Sequence, residues 1–317
     1  MARKMLRANK SRLWAMLALL ATACFWGGMF HVAKATLPVI DAFWLTLLRY
    51  GFTAPFFVTL LIWREGRTAL SFEGRGVAAW WYGTLGFAVF NYFVYFGLTY
   101  SQPEHGAIIM ALMPLIAALI SWVADGQRPS GPALGLIALA LSGVLLVITH
   151  GDPEVLLHGD TAFGDMFILV GAIAWVLYTR SVPRFNGWSS LRFTTLTTLA
   201  GTACIVLATG ALTLSGAAHL PRLETLPEVA VNIVYIVVLA TIAAVLFWNY
   251  GIHVLGPLNG MLFINLVPIS AFIIGLARGF APYPAEFAGA ALTLLALVAN
   301  NLLARRASAL GNAERSK

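Results

Sequence analysis

From residue 13 to residue 304 the chain repeats one pattern, an apolar run followed by a short break rich in charge, Gly or Pro. Ten such runs are read, at 13–33, 42–63, 77–97, 104–124, 131–149, 163–183, 190–214, 228–250, 257–278 and 284–304. A helix of about 20 apolar residues crosses a hydrocarbon core roughly 30 Å thick, so each run is expected to be a membrane-spanning helix, here spans 1 to 10. Lipid offers no partner for backbone N–H and C=O groups, which favours helices that satisfy them internally. The longest breaks, near 64–76, 150–162 and 215–227, leave no room for a soluble domain. The expectation is an all-α integral membrane protein, one membrane domain over 1–317 with a tail at 305–317 and successive spans antiparallel.

Composition agrees with the pattern. Hydrophobic residues make up 60% of the chain and charged ones 10%, against roughly 25% charged in an ordinary soluble domain. The two cysteines, Cys24 and Cys204, lie inside apolar runs, where a thiol behaves as a small hydrophobe. The chain holds 20 Lys and Arg. With the N-terminus in the cytoplasm, only Lys34, Arg222 and Arg278 fall outside and Arg49 within a span, leaving sixteen inside. This positive-inside bias predicts that both termini are cytoplasmic. The net charge of +7 is therefore a topology signal, and no nucleic-acid surface is read from basic residues dispersed among loops. "ATAC" at 21–24 resembles a leader cleavage site. Removing span 1 would put the two basic ends on opposite sides, against the charge count.

A repeat runs through the pattern. At an offset of 154, Gly97 meets Gly251, Pro103 meets Pro257, Gly106 meets Gly260 and Pro114 meets Pro268. Spans 3–5 thus map onto spans 8–10, and Trp26 in span 1 stands opposite Trp175 in span 6. The chain reads as two five-helix repeats, about 13–149 and 163–304. A five-helix unit that follows its own copy enters the membrane from the other face, so the repeats are expected to be inverted, an arrangement used by transporters. Pro114 and Pro268 fall near mid-span, where each removes a backbone hydrogen bond and kinks the helix. With Gly97 and Gly251 they are the candidate kink or gating positions, against the plainer reading that they shape packing.

Three stretches carry a resemblance. "FWGGMFHVAK" at 25–34, "LLRYGF" at 47–52 and the Pro-centred unit beginning "MPLIAALISWVADGQRPSG" at 113 are similar to the drug/metabolite transporter superfamily, EamA type. "GAIAWVLYTRSVPRFNG" at 171–187 and "NY" at 91–92 are most like its YddG-type aromatic amino-acid exporters. Met113 and "DGQR" at 125–128 depart from the Glu and the G-E-R turn that the family often carries. The resemblance implies ten helices in two inverted repeats, no cofactor, an inner-membrane location and export of a small molecule by alternating access.

The residues suggest the chemistry of the cargo. Asn91, Tyr92 and Tyr95 in span 3, Met110 in span 4, Trp175 and Tyr178 in span 6, Trp248 and Asn249 in span 8, Asn265 in span 9 and Trp26 in span 1 are the candidate substrate contacts. Amide and phenol groups suit the ammonium and carboxylate of a zwitterion, and indole and phenol faces suit an aromatic side chain or a cation. The plainer reading makes these aromatics packing or interfacial residues, as for Trp80, Trp81 and Tyr82 at a span end. Arg49 is open to two readings, a helix-end residue that snorkels outward or a partner for a substrate carboxylate. His31 is expected to be satisfied by a neighbour, and Glu104 and His105 to be interfacial. No Asp or Glu lies well inside a span, Asp41, Glu104, Asp125, Asp165, Glu228 and Glu286 standing near span ends, which argues for facilitated movement without proton coupling. Spans 5 and 10 are rich in small residues, which suits close packing within the bundle or at a dimer interface. Neither a metal cluster, a Walker motif nor a catalytic constellation is read, so the chain is expected not to be an enzyme. Drug-like cations and other metabolites are the alternative cargo.

Overall fold

The structure is a computed structural model that describes residues 2–154, 160–255 and 260–315. The described residues contain helices and no strand. In chain order the helices are α1 (Ala2–Thr36), α2 (Ala42–Glu65), α3 (Gly76–Gly83), α4 (Phe90–Tyr100), α5 (Pro103–Ala111), α6 (Met113–Asp125), α7 (Gly131–Thr149), α8 (Asp160–Thr179), α9 (Ser190–Leu214), α10 (Leu226–Val234), α11 (Ala244–Leu255), α12 (Leu266–Ala277) and α13 (Pro284–Arg315). Two π-helical segments, Thr84–Val89 and Tyr235–Ala243, join α3 to α4 and α10 to α11. Among the described residues six helical stretches are long and apolar enough to cross a membrane, seven if the bent pair α5–α6 counts as one. They coincide with expected spans 1, 2, 4, 5, 6, 7 and 8. Shorter apolar helices, Phe263–Ala277 and Pro284–Asn300, stand where spans 9 and 10 are expected. Expected span 3 is a continuous helical stretch of α3, its π segment and α4 that is not among those seven. Large apolar side chains such as Leu207, 72% exposed, and Val231, 80% exposed, cover the outside, a surface suited to lipid.

Local sequence explains the helix ends. Asp41 caps α2, its Oδ1 accepting from the N–H groups of Phe43 and Trp44 at 2.9 Å each. Ser130 and Ser189 cap α7 and α9 in the same way, and Gly126 closes α6 in the left-handed conformation that glycine adopts freely. The break between α5 and α6 falls at Leu112, with Pro114 in the first turn of α6 and a bend of 43°. Pro268 sits likewise in the first turn of α12, behind a 3-10 turn at Met261–Asn265. Pro257 lies outside the described residues. At the offset of 154 the first residue of α4 maps onto the first residue of α11, and the first π segment falls within the second. The repeat thus extends from Gly and Pro letters to helix irregularities.

The chain forms two compact units, and each takes helices from both repeats. One comprises Met1–His31, Pro103–Ala162 and Ala243–Lys317. Here α7 packs along α13, where a Cβ on Gly143 would meet the Gly289 carbonyl at 2.6 Å. The two small-residue helices therefore pack on each other within the chain. The second unit comprises Val32–Gln102 and Phe163–Ile242. Gly97 of α4 and Gly164 of α8 face each other there, a Cβ on either lying 2.5 Å from the other's carbonyl oxygen. Small residues give this close approach because lipid, itself apolar, supplies no hydrophobic drive between helices. Lys34 closes the end of α4, donating to the carbonyls of Leu98 at 2.7 Å, Thr99 at 3.0 Å and Ser101 at 2.9 Å.

Candidate functional site

The second unit buries a cation. Arg49, eight residues into α2, keeps only 6% of its surface exposed. Its Nε donates to Thr241 Oγ1 at 2.8 Å, and its Nη1 donates to Asn91 Oδ1 at 2.8 Å and to the Tyr95 hydroxyl at 2.9 Å. Among the described residues no carboxylate lies within ion-pairing distance of it. The Tyr50 ring is 5.3 Å from its guanidinium carbon, a second neutral source of stabilisation. The snorkelling reading is therefore corrected: neighbouring helices supply hydrogen-bond acceptors at depth, so the side chain turns inward. Removing a guanidinium from water costs several kcal/mol even after relaxation. Hydrogen bonds to a charged group return about 1.5–3 kcal/mol each.

Both π segments serve this site. A π turn displaces the backbone register and is often found at functional positions. Asn91, the second residue after the first π segment, donates through Nδ2 to the carbonyl of Phe87, within that segment, at 2.8 Å, and to the Tyr50 hydroxyl at 3.0 Å. This fixes its Oδ1 toward Arg49. Thr241 lies in the second π segment and donates to the carbonyl of Ile236, five residues back, at 2.7 Å. Its hydroxyl oxygen is thereby left to accept from Arg49.

An aromatic cluster continues from Tyr50. Phe87 meets Tyr50 at 5.3 Å, Tyr178 at 5.1 Å and Trp175 at 6.3 Å between ring centroids. Trp175 also lies 5.2 Å from Tyr178 and 5.0 Å from Phe90. The Tyr178 hydroxyl pairs with Thr197 Oγ1 at 3.1 Å, and its ring stacks on Phe193. Asn91 and Tyr95 thus bond Arg49 directly, whereas Trp175 and Tyr178 reach it only through Phe87 and Tyr50. Tyr92 turns instead to α9, donating to the Ile205 carbonyl and paired with Thr209. Tyr50, Phe87 and Thr241 were missed by sequence reading, and only the proximity of Tyr50 to Arg49 in the "RY" pair hinted at one of them.

The other candidates lie in the first unit. Trp26 and Trp248 pair at 5.3 Å. Met110 is buried in α5, Asn249 is exposed on α11, and Gly251 packs on Leu19. Asn265 is buried before α12, its Oδ1 without a hydrogen-bond partner among the described residues. His31 Nε2 lies 2.8 Å from the Ala271 carbonyl and 3.6 Å from Glu104 Oε1. Glu104 and His105 are each 1% exposed, so the interfacial reading is corrected: other helices cover the start of α5. Asp165, paired with Ser101 in the second unit, and Glu286 are also buried. Position near a span end therefore does not keep these carboxylates in water, and the sequence argument against proton coupling loses its premise.

Many membrane-length helices, interrupted near buried polar groups, define a polytopic membrane protein. The chain matches the EamA-like transporter family over residues 13–149 and 162–302, and it belongs to that family. It is 32% identical over 294 residues to the uncharacterized transporter YrdR of Bacillus subtilis (strain 168), covering 92% of each chain. It is 30% identical over 285 residues to the uncharacterized transporter YyaM of the same organism, covering 88% of this chain and 91% of the relative. One solved crystal structure of a protein superposes with a TM-score of 0.64 at 19% identity, covering 92% of this chain and 98% of that one, a likeness of fold alone.

Proposed function

We propose that this transporter carries amino acids with aromatic or other neutral side chains across the bacterial inner membrane, outward and by alternating access, with both termini in the cytoplasm. The observation that carries the proposal is Arg49, a buried cation held entirely by neutral groups. A cation without a counter-ion favours an anionic group, and a carboxylate matches the fork of a guanidinium. The Tyr50 ring at the guanidinium, continued by Phe87 and Trp175, favours an aromatic or apolar side chain on the cargo. The same positive charge disfavours drug-like cations. The outward direction rests on the resemblance to amino-acid exporters, and two inverted halves suit alternating access.

Counterflow in liposomes tests the proposal. Purified protein loaded with unlabelled tryptophan is expected to accumulate labelled tryptophan, phenylalanine and threonine saturably. Accumulation of an aromatic cation in place of all three amino acids would overturn it. Repeating the assay across an imposed pH gradient determines whether the buried carboxylates couple transport to protons.

A further inference from the structure

Away from Arg49, the first unit gathers three metal-ligating side chains from three helices. His105 stands in the first turn of α5, His150 at the C-cap of α7 and Glu286 in the first turn of α13. Glu286 Oε1 lies 3.1 Å from His105 Nε2 and 2.8 Å from His150 Nδ1. The first contact is a hydrogen bond. The second is close but misdirected, and His150 Nδ1 is a buried nitrogen without a hydrogen-bond partner among the described residues. All three ligand atoms fall within 4.8 Å of one another. A tetrahedral zinc site with bonds of about 2.0–2.1 Å places its donors roughly 3.3 Å apart, so only small shifts are needed.

Three features make this more than a satisfied pair. Glu286 Oε2 accepts from the Tyr283 N–H at 2.7 Å, which turns Oε1 toward both imidazoles, as outer hydrogen bonds orient metal ligands. His150 has φ 54°, a left-handed conformation uncommon outside glycine, and it is this bend that brings its ring to Glu286. The Glu286 side chain is 2% exposed, its contacts are the two imidazoles, and the Glu104 carboxyl lies within electrostatic reach of it. A buried carboxylate requires a positive partner, which a divalent ion supplies. The His150 side chain, 22% exposed, leaves a route in from the surface.

We propose that His105, His150 and Glu286 form a binding site for a first-row divalent cation of the zinc class, with the fourth position open to water. The ion ties α5, α7 and α13 together. Sequence reading found no metal cluster because the three ligands are far apart in the chain and share no motif.

The test uses tag-free, full-length protein in detergent, with Co2+ as spectroscopic probe and Zn2+ in competition with a chromophoric chelator. The wild type is expected to bind one equivalent, to show the visible bands of four-coordinate Co2+ and to melt at higher temperature with Zn2+. His150→Asn, chosen because Asn tolerates the left-handed conformation, and Glu286→Gln are each expected to weaken binding at least about tenfold. Both should abolish the Zn2+-dependent rise in melting temperature, while His253→Ala, at an exposed histidine, leaves binding unchanged. No Co2+ bands in the wild type, or wild-type affinity in both variants, would overturn the proposal. The readouts involve no cargo, so failure here leaves the amino-acid reading untouched and the reverse also holds.

Discussion

Arg49 is held by Thr241, Asn91 and Tyr95, whose dipoles solvate its charge without cancelling it. Supplying a carboxylate from the protein itself should therefore compete with cargo. Asn91→Asp is expected to preserve or raise thermal stability through an ion pair between Arg49 and the introduced carboxylate, while sharply lowering tryptophan counterflow. Wild-type flux in that variant would show that cargo does not need the free cation. Arg49→Gln should lower tryptophan kcat/KM by roughly tenfold or more, since one charge-assisted bond is worth about 1.5–3 kcal/mol. A second residue-scale effect lies outside the spans. The Trp188 indole N–H donates to Glu73 Oε2 at 2.9 Å and Arg192 pairs with Oε1 at 2.8 Å. These two contacts, the indole bond first, hold the Glu73 carboxyl below its usual range. A depressed carboxyl stabilises the fold above its unfolded pKa and loses that contribution as pH falls through the folded one. Trp188 fluorescence should therefore change with a midpoint below the ordinary carboxylate range, and Glu73→Gln should remove the transition.

The helices pack where glycine admits backbone, and this makes element-scale outcomes specific. Gly143→Val on α7 would drive a side chain into the Gly289 carbonyl of α13. It is expected to destabilise by about 1–3 kcal/mol, seen as a lower melting temperature. Gly135→Val on the same helix meets nothing within 4 Å and should be nearly neutral. Equal effects would contradict the α7–α13 contact. The apolar runs of α1, α2, α7, α8, α9 and α10–α11 were legible because a 20-residue hydrophobic stretch has few alternatives. The bend before Pro114 was legible for a similar reason, since proline lacks the N–H that a continuous helix needs. The π segments were not. Thr84–Val89 and Tyr235–Ala243 contain no proline, and a one-residue register shift arises from packing between helices that local sequence does not encode.

At the scale of the molecule, the repeat and the family could be read from Gly, Pro and the motif at 25–34, whereas the buried charges could not. Arg49 was placed within reach of the surface, and Glu104 and His105 at an interface, because distance along a helix says nothing of what packs beside it. Asn91 and Tyr95 beside Arg49 came from the span 3 pattern, and Trp175 and Tyr178 one ring further away from span 6, while Phe87 and Thr241 lie in the π turns. Charge counting predicts both chain ends in the cytoplasm. Reporter groups fused at each end should both be protected from outside labelling, and opposite sidedness would break the five-plus-five arrangement. The central claim is that a carboxylate on the cargo engages a buried cation, and counterflow of tryptophan against tryptamine, the same ring without the carboxylate, tests it most directly. Saturable tryptophan exchange with no tryptamine exchange is the expected result, and tryptamine carried as readily as tryptophan would show that Arg49 does not recognise the cargo's carboxylate.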